Sequence, residues 1–373
     1  MRKSATSLVA VGVAAAVVIS GCSSSKKSGT TSTTGSSSTA SGKPQVGVIL
    51  PDTTTSNRYT LYDQPLLQKA FDAAGIKSTI QNAHGSNSTF VSDAQTMITE
   101  GVKVLLIDPA DPATGISVEK LASAAGVQVI DYDRVNLGGS AKYYVSFDNE
   151  KVGELQGQGL VDCLNAKKVK TPSIITLNGG TDIDNNAVLF KSGAHKILDP
   201  LFQNGTLKKG PETDVKGWDN TVAATDFQQS FTQDPTVGGV LAANDGIAAA
   251  AISTLKQHHL QIPVTGQDAT IQGIQYILTG DQCLTIFKDV SKEADAASKL
   301  AIDLIKGDTA SAASLASGTL HDPTGNRDIP SVLLTPEVIT KATVKDVISA
   351  GALTSAQICA GIQAACTAAG ISS

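Results

Sequence analysis

The chain has 373 residues, enough for two domains with cores of their own. With 41% hydrophobic residues, 17% charged residues and a net charge of −5, it has an ordinary globular composition and no long basic run, which argues against a nucleic-acid partner. Aromatic residues make up only 4%, so the lone Trp218 stands out.

Residues 1–22 read as a lipoprotein signal. Arg2 and Lys3 precede an apolar run from Leu8 to Ile19, the length of a signal core and short for a permanent span. The run ends Val18-Ile-Ser-Gly-Cys22, small residues before a cysteine, which marks Cys22 as the lipidation site. Residues 23–43 are almost all Ser, Thr and Gly, a flexible tether with nothing to bury. Together they predict a protein anchored by lipid on the outer side of the cell membrane.

The remaining cysteines, Cys163, Cys283, Cys359 and Cys366, are even in number, as expected for disulfides in an exported chain. They lack metal-ligand spacing, so no metal is expected. Thr354 to Gln357 reads as a capping box opening a helix. If that helix runs on through Cys366, Cys359 and Cys366 lie about 10 Å apart at 1.5 Å per residue, too far to join. Each must then pair with Cys163 or Cys283. If the helix breaks at Gly361, a local bond is possible. The sequence leaves both open.

In chain order, Gln45 to Leu50 is an apolar strand, followed by a polar loop to Arg58 and a helical pattern from Tyr59 to Ala74. Strands are expected at 77–81, 102–107, 127–130 and 143–147, with helices at 90–99 and 116–125. The alternation resumes with helices at 150–164, 187–198, 221–231, 246–257 and 271–278 and strands at 173–177, 237–242, 264–268 and 283–287. A long helix follows at 291–306, then an extended segment at 330–336. Alternating strands and helices of these lengths imply parallel sheets with right-handed crossovers. Two such blocks in series give an α/β protein of two doubly wound parallel-sheet domains joined by a three-segment hinge. One lobe comprises 44–146 plus 289–330, the other 147–288 plus 331–373, with crossings near Phe147, Lys288 and Pro330.

In such sheets ligands bind beyond the carboxyl ends of the strands. Gathered there are Arg58, Asp133, Arg134, Asp184, Asn186, Trp218, Asn244, Asp268 and Lys288. Carboxylates and amides accept from sugar hydroxyls, cations donate to them, and an indole packs on the C–H face of a pyranose. Each residue also has a plainer use. Strand-end Asp and Asn cap helices, Arg134 could pair with Asp131, Trp218 could fill a core, and Lys288 could be solvated. Recurrence in nearly every strand–helix loop favours a polyol cleft.

Several stretches carry a resemblance: Asp131-Tyr-Asp-Arg134, Ser146 to Gly153, Asp184-Asn-Asn-Ala187, Gly217-Trp218, Asn244-Asp245, Gly266-Gln-Asp-Ala269 and Leu333-Leu-Thr-Pro336. Over roughly Lys43 to Ala350 the chain resembles the periplasmic xylose-binding proteins, type I, ribose-like sugar-binding proteins of ABC importers. The resemblance implies the type I periplasmic binding protein fold and a monosaccharide ligand, a pentose and first of all D-xylose, held by the residues gathered above. It also implies a monomer without a cofactor that meets a membrane ABC permease. Tyr59 stands where this family commonly has Trp, and the cysteine-bearing end lies outside the family pattern. A sugar-sensing protein that signals to a membrane receptor would share the same site. A glycoside hydrolase would need two carboxylates in acid and nucleophile roles. Beside Asp133, Asp184 and Asp268, Arg134 and Lys288 are expected to hold carboxylates ionised, leaving no general acid. The chain is therefore read as a binding protein, not an enzyme.

Overall fold

A computed structural model describes residues 42–56 and 58–372. The signal at 1–22, the lipidation of Cys22 and nearly all of the 23–43 tether lie outside the described residues.

The first lobe opens with β1 (Val46–Leu50), a π-helical turn at Tyr59–Asp63 and α1 (Gln64–Ala73). It continues through β2 (Ser78–Asn82), α2 (Asn87–Glu100), β3 (Val104–Ile107), α3 (Pro112–Ala124), β4 (Gln128–Tyr132) and β5 (Tyr143–Phe147). These strands pair in parallel in the order β5-β4-β3-β1-β2. β1, β3 and β5 are buried along their whole length, which is why they read as unbroken apolar runs. The helices begin on side-chain caps: Ser86 accepts from the Thr89 amide and Asp111 from the Thr114 amide. Both α2 and α3 therefore start a turn earlier than the apolar spacing alone implies.

The second lobe runs through α4 (Asn149–Ala166), β6 (Ser173–Asn178), α5 (Asn185–Gln203), β7 (Lys208–Asp214), a 3-10 turn at Lys216–Trp218, α6 (Asn220–Gln233), β8 (Val237–Ala242), α7 (Asp245–Gln257), α8 (Ile271–Thr279) and β9 (Leu284–Phe287). β7, β6 and β8 form a parallel ladder in that order. The segment expected as a strand at 264–268 makes only single bridges, Val264 to Val240 and Gln267 to Ile286. Asp268 and Ala269 turn the chain away with positive φ, 95° and 51°.

After β9 the chain returns to the first lobe. α9 (Val290–Lys306) packs against α1 and the sheet through Ala294, Ala297 and Leu300. α10 (Thr309–Leu315) and β10 (Gly318–Asp322) follow, and β11 (Arg327–Leu334) pairs in parallel with β5 from Ser331–Tyr144 to Leu334–Phe147. This corrects the lobe boundary expected at 330/331: the chain stays in the first lobe to Leu334. Pro330 does not end the strand, because it precedes the stretch paired with β5 and removes no bond from that ladder. The chain then crosses to β12 (Glu337–Thr340), antiparallel to β9.

α11 (Val344–Ser349), α12 (Ser355–Cys359) and α13 (Gln363–Ala368) form a small cap on the second lobe. Its core joins Val347, Leu353, Ile358 and Cys366 to Ile274 and Leu278 of α8, with Tyr62 of the first lobe packed against it. Thr354 and Gln357 make the expected capping box. The helix then breaks at Gly361, whose φ of 79° lies in the left-handed region. The break brings the Cys359 and Cys366 Cα atoms to 5.8 Å and joins the pair locally. Cys163 of α4 pairs with Cys283 beside β9, across a sequence separation of 120.

Candidate functional site

Arg58, Asp133, Arg134, Asp184, Asn186, Trp218, Asn244, Asp268 and Lys288 all line one cavity between the lobes. The first lobe supplies Arg58 from the loop after β1 and Asp133 and Arg134 from the end of β4. The second supplies Asp184 and Asn186 before and in α5, Trp218, Asn244 after β8, and Asp268. Lys288 sits at the second crossing. The carboxyl ends of the strands of both sheets face one another here, which is why residues far apart in sequence meet.

The lobes touch across this cavity. Asn186 Nδ2 donates to the Asp133 carbonyl at 2.9 Å, and Asn186 Oδ1 accepts from the Tyr144 hydroxyl at 3.0 Å and from Asn149 at 2.8 Å. Arg134 Nε lies 3.7 Å from Asp184 Oδ2 in the other lobe and 3.7 Å from Asp108 Oδ1 in its own. The cleft is closed, and the charged side chains in it other than Asp268 are buried. Asp268 is the most open, with 19% of its side chain exposed.

Arg134 does not pair with Asp131. Alternation along β4 turns Asp131 to the opposite side of the strand from Tyr132. There it accepts from the Asn136 amide and from Asn136 Nδ2, both at 2.8 Å, and fixes the following loop. Trp218 is both core and lining. It packs edge-on to Phe190 at 6.3 Å, lies against Gly179 and Gly180, and donates from Nε1 to Asp184 Oδ2 at 3.1 Å. Lys288 sits 3.9 Å from Asp268 and 5.6 Å from the Phe190 ring.

Burial alone would raise the Asp133 carboxyl, but Arg58, Lys288 and Arg134 outweigh it and hold the group down at about 2. Asp184 and Asp268 go the other way. Burial raises both, and Arg134 and Lys288 offset it only in part. Arg134 and Lys288 thus pull Asp184 and Asp268 down against burial without cancelling it, and the cations outweigh burial only at Asp133.

Thr55, Ser56, Tyr59, Phe190 and Gln267 also line the cavity and were not among the expected site residues. Phe190 was legible in principle, being four residues after Asn186 on the same helix face. Tyr59, at the position flagged for a stacking ring, is 2% exposed and donates to Asp133 Oδ2 at 3.2 Å. Asp245 stands behind the cavity. It accepts from the Thr270 amide, Gln282 and Thr285, each at 2.8 Å, and so fixes the Gly266–Ala269 turn that carries Asp268.

Two sheet lobes, three crossings among the described residues and a polar cleft at the facing strand ends define a hinged solute-binding protein. The periplasmic binding protein domain family matches residues 46–309. The D-xylose-binding periplasmic protein of Escherichia coli K12 is 34% identical over 289 residues, 77% of this chain and 84% of that one. The multiple sugar-binding periplasmic receptor ChvE of Rhizobium radiobacter is 34% identical over 328 residues, 84% of this chain and 91% of that one. A carbohydrate transporter solute-binding protein from Chloroflexus aurantiacus, solved with D-glucose, superposes with a TM-score of 0.74 at 27% identity, covering 84% of this chain and 98% of that one. The chain belongs to the type I periplasmic binding proteins, among relatives named for sugars, and is a binding protein and not an enzyme. No helix among the described residues is long and apolar enough to cross a membrane.

Proposed function

We propose that the protein is an extracytoplasmic lipoprotein, anchored through Cys22, that captures a monosaccharide between its lobes and delivers it to an ABC importer. D-xylose is the first candidate. The observation that carries this reading is the convergence of Arg58, Asp133, Arg134, Asp184, Asn186, Trp218, Asn244, Asp268 and Lys288 on a single interlobe cavity. A neutral polyol suits such a lining, because cations and carboxylates there are matched and each hydroxyl both donates and accepts. Arg134 Nε, in the cavity lining, has no hydrogen-bond partner among the described residues, so polar capacity remains there for a ligand or water. Similarity to D-xylose-binding proteins at 32–34% identity supports the pentose.

A broader sugar range is the second reading. It is favoured by relatives named as multiple sugar-binding proteins at 33–34% identity and by Tyr59 in place of the usual Trp. The word receptor in one of those names keeps a sensing role alongside transport. Thermal melts with a panel of pentoses, hexoses and inositol test the reading, since a ligand raises the melting temperature by mass action. A shift with xylose and none with ribose is expected. Comparable shifts with several sugars would favour the broader reading, and no shift with any would sink both.

A further inference from the structure

A guanidinium has five N–H donors. In Arg58, Nε donates to Asp63 Oδ2 at 2.9 Å, Nη2 to Asp63 Oδ1 at 2.7 Å and to Glu293 Oε2 at 2.5 Å, and Nη1 to Asp133 Oδ1 at 3.1 Å. One N–H, on Nη1, is left. Glu293 is 235 residues from Arg58 in sequence and sits in the first turn of α9, just after the crossing that carries Lys288. It is fully buried and does not line the cavity.

We propose that Glu293 is a positioning residue for the sugar site: with Asp63 it clamps Nη2 of Arg58, leaving Nη1 to serve Asp133 and the ligand, and it does so as a neutral carboxyl whose ionisation weakens sugar binding. The proposal rests on the reading of the cavity as a sugar site.

The geometry argues for the neutral form. Three carboxyl groups bond to one buried guanidinium, and three full negative charges on it would exceed the single charge they share. Asp63 has both oxygens on Arg58 and accepts from the Tyr132 hydroxyl as well. Asp133 has Arg58, the Tyr59 hydroxyl and the nearby charges of Lys288 and Arg134. Glu293 has one bonded oxygen, and its Oε1 has no hydrogen-bond partner among the described residues. It is the least supported of the three and takes the proton. Burial pushes it up to about 8, against the attraction of Arg58 and Lys288 and with the repulsion of Asp133 and Asp63. Tyr132 on β4 and Tyr144 on β5 also feel its charge; burial raises both phenols, so they stay neutral over the same range. Ionising Glu293 sets its charge against that of Asp133 and draws Arg58 toward itself.

The test is calorimetric titration of D-xylose into the full-length mature protein from pH 6.5 to 9.5, in buffers of contrasting ionisation enthalpy. Wild-type affinity should fall roughly tenfold as pH rises through about 8. Binding near that pH should take up protons, since the sugar-bound state prefers neutral Glu293. Glu293→Gln keeps an acceptor for Nη2 and cannot ionise. It should bind like wild type near neutrality and lose both the alkaline fall and the proton uptake. Glu293→Ala frees Nη2 and should bind more weakly at every pH. If it does not fold, the glutamine variant carries the test. A flat wild-type profile, or a Glu293→Gln profile that keeps the fall, overturns the role of Glu293. If wild type binds neither D-xylose nor any other sugar of the thermal-melt panel at any pH, the reading of the site itself falls, and the proposal with it; a panel sugar that binds in place of D-xylose becomes the titrant.

Discussion

Asp133, Trp218 and Asp268 all have positive φ, 60°, 58° and 95°. Such conformations are costly for residues with a β-carbon and persist where surrounding contacts over-determine them. Here the contacts are Arg58 and Tyr59 on Asp133, Asp184 on Trp218, and the Asp245-braced turn under Asp268. Two substitutions separate affinity from stability. Arg134→Ala leaves the buried Asp108 and Asp184 without their cation, so it should cut sugar affinity by roughly 10–100-fold and also lower the sugar-free melting temperature. Asp268→Ala removes a more open carboxylate, so it should cut affinity similarly with little change in that temperature. Calorimetry and sugar-free melts of the two variants check this. Unchanged affinity in both would refute the site assignment. The sequence pointed to Asp133, Arg134 and Asp268 because each is polar at the end of an apolar run, and to Trp218 as the lone tryptophan. It did not reveal Glu293, which is one glutamate on a helix with nothing local to mark it.

At the scale of elements, α4 and α5 approach closely because glycines face each other. A β-carbon on Gly153 would overlap the Phe190 carbonyl, and one on Gly193 would overlap that of Glu150. α5 carries Asn186 and Phe190 into the cavity, so the helix spacing sets the site. Gly153→Ala should therefore lower the melting temperature and weaken sugar binding together, whereas Gly205→Ala, where no atom lies within 4 Å, should show only the cost of its positive φ. Wild-type affinity in Gly153→Ala would separate the helix spacing from the site. Most elements were legible from period and caps; one of those that were not is β7. Its sequence Lys-Lys-Gly-Pro-Glu-Thr-Asp is polar because it is an edge strand, whose charges meet Lys191 and His195 of α5. The cysteine pairing was open for a similar reason. One glycine decided between a continuous helix and a bend, and helical spacing does not encode that choice.

For the whole molecule, buried acids set the pH response. Glu293 is raised from 4.5 to about 8, and Asp245 from 3.8 to about 7, by burial first in each case. Stability that depends on their neutral forms is present below those ordinary values and is lost as pH rises through the raised ones. Asp133, lowered from 3.8 to about 2, contributes in the opposite sense: its share is present above the ordinary value and lost as pH falls through the lowered one. The sugar-free melting temperature should accordingly be highest in the mildly acidic range and decline from pH 5 to 9, with a smaller decline in Glu293→Gln. Melts across that range check it, and a flat or rising profile would contradict it.

The sequence by itself determined the α/β class, the repetition that gives two lobes, and the polar strand ends that make a cleft, because period, caps and strand-end charges are local properties of the chain. Tertiary structure alone decided where β11 ends its stay in the first lobe, which cysteines join, and which carboxyl stands behind Arg58. The β11 crossing, the Cys163–Cys283 bond and the Arg58–Glu293 contact depend on groups more than a hundred residues apart meeting inside the fold, and the Cys359–Cys366 bond on a backbone bend at Gly361 that helical spacing does not encode.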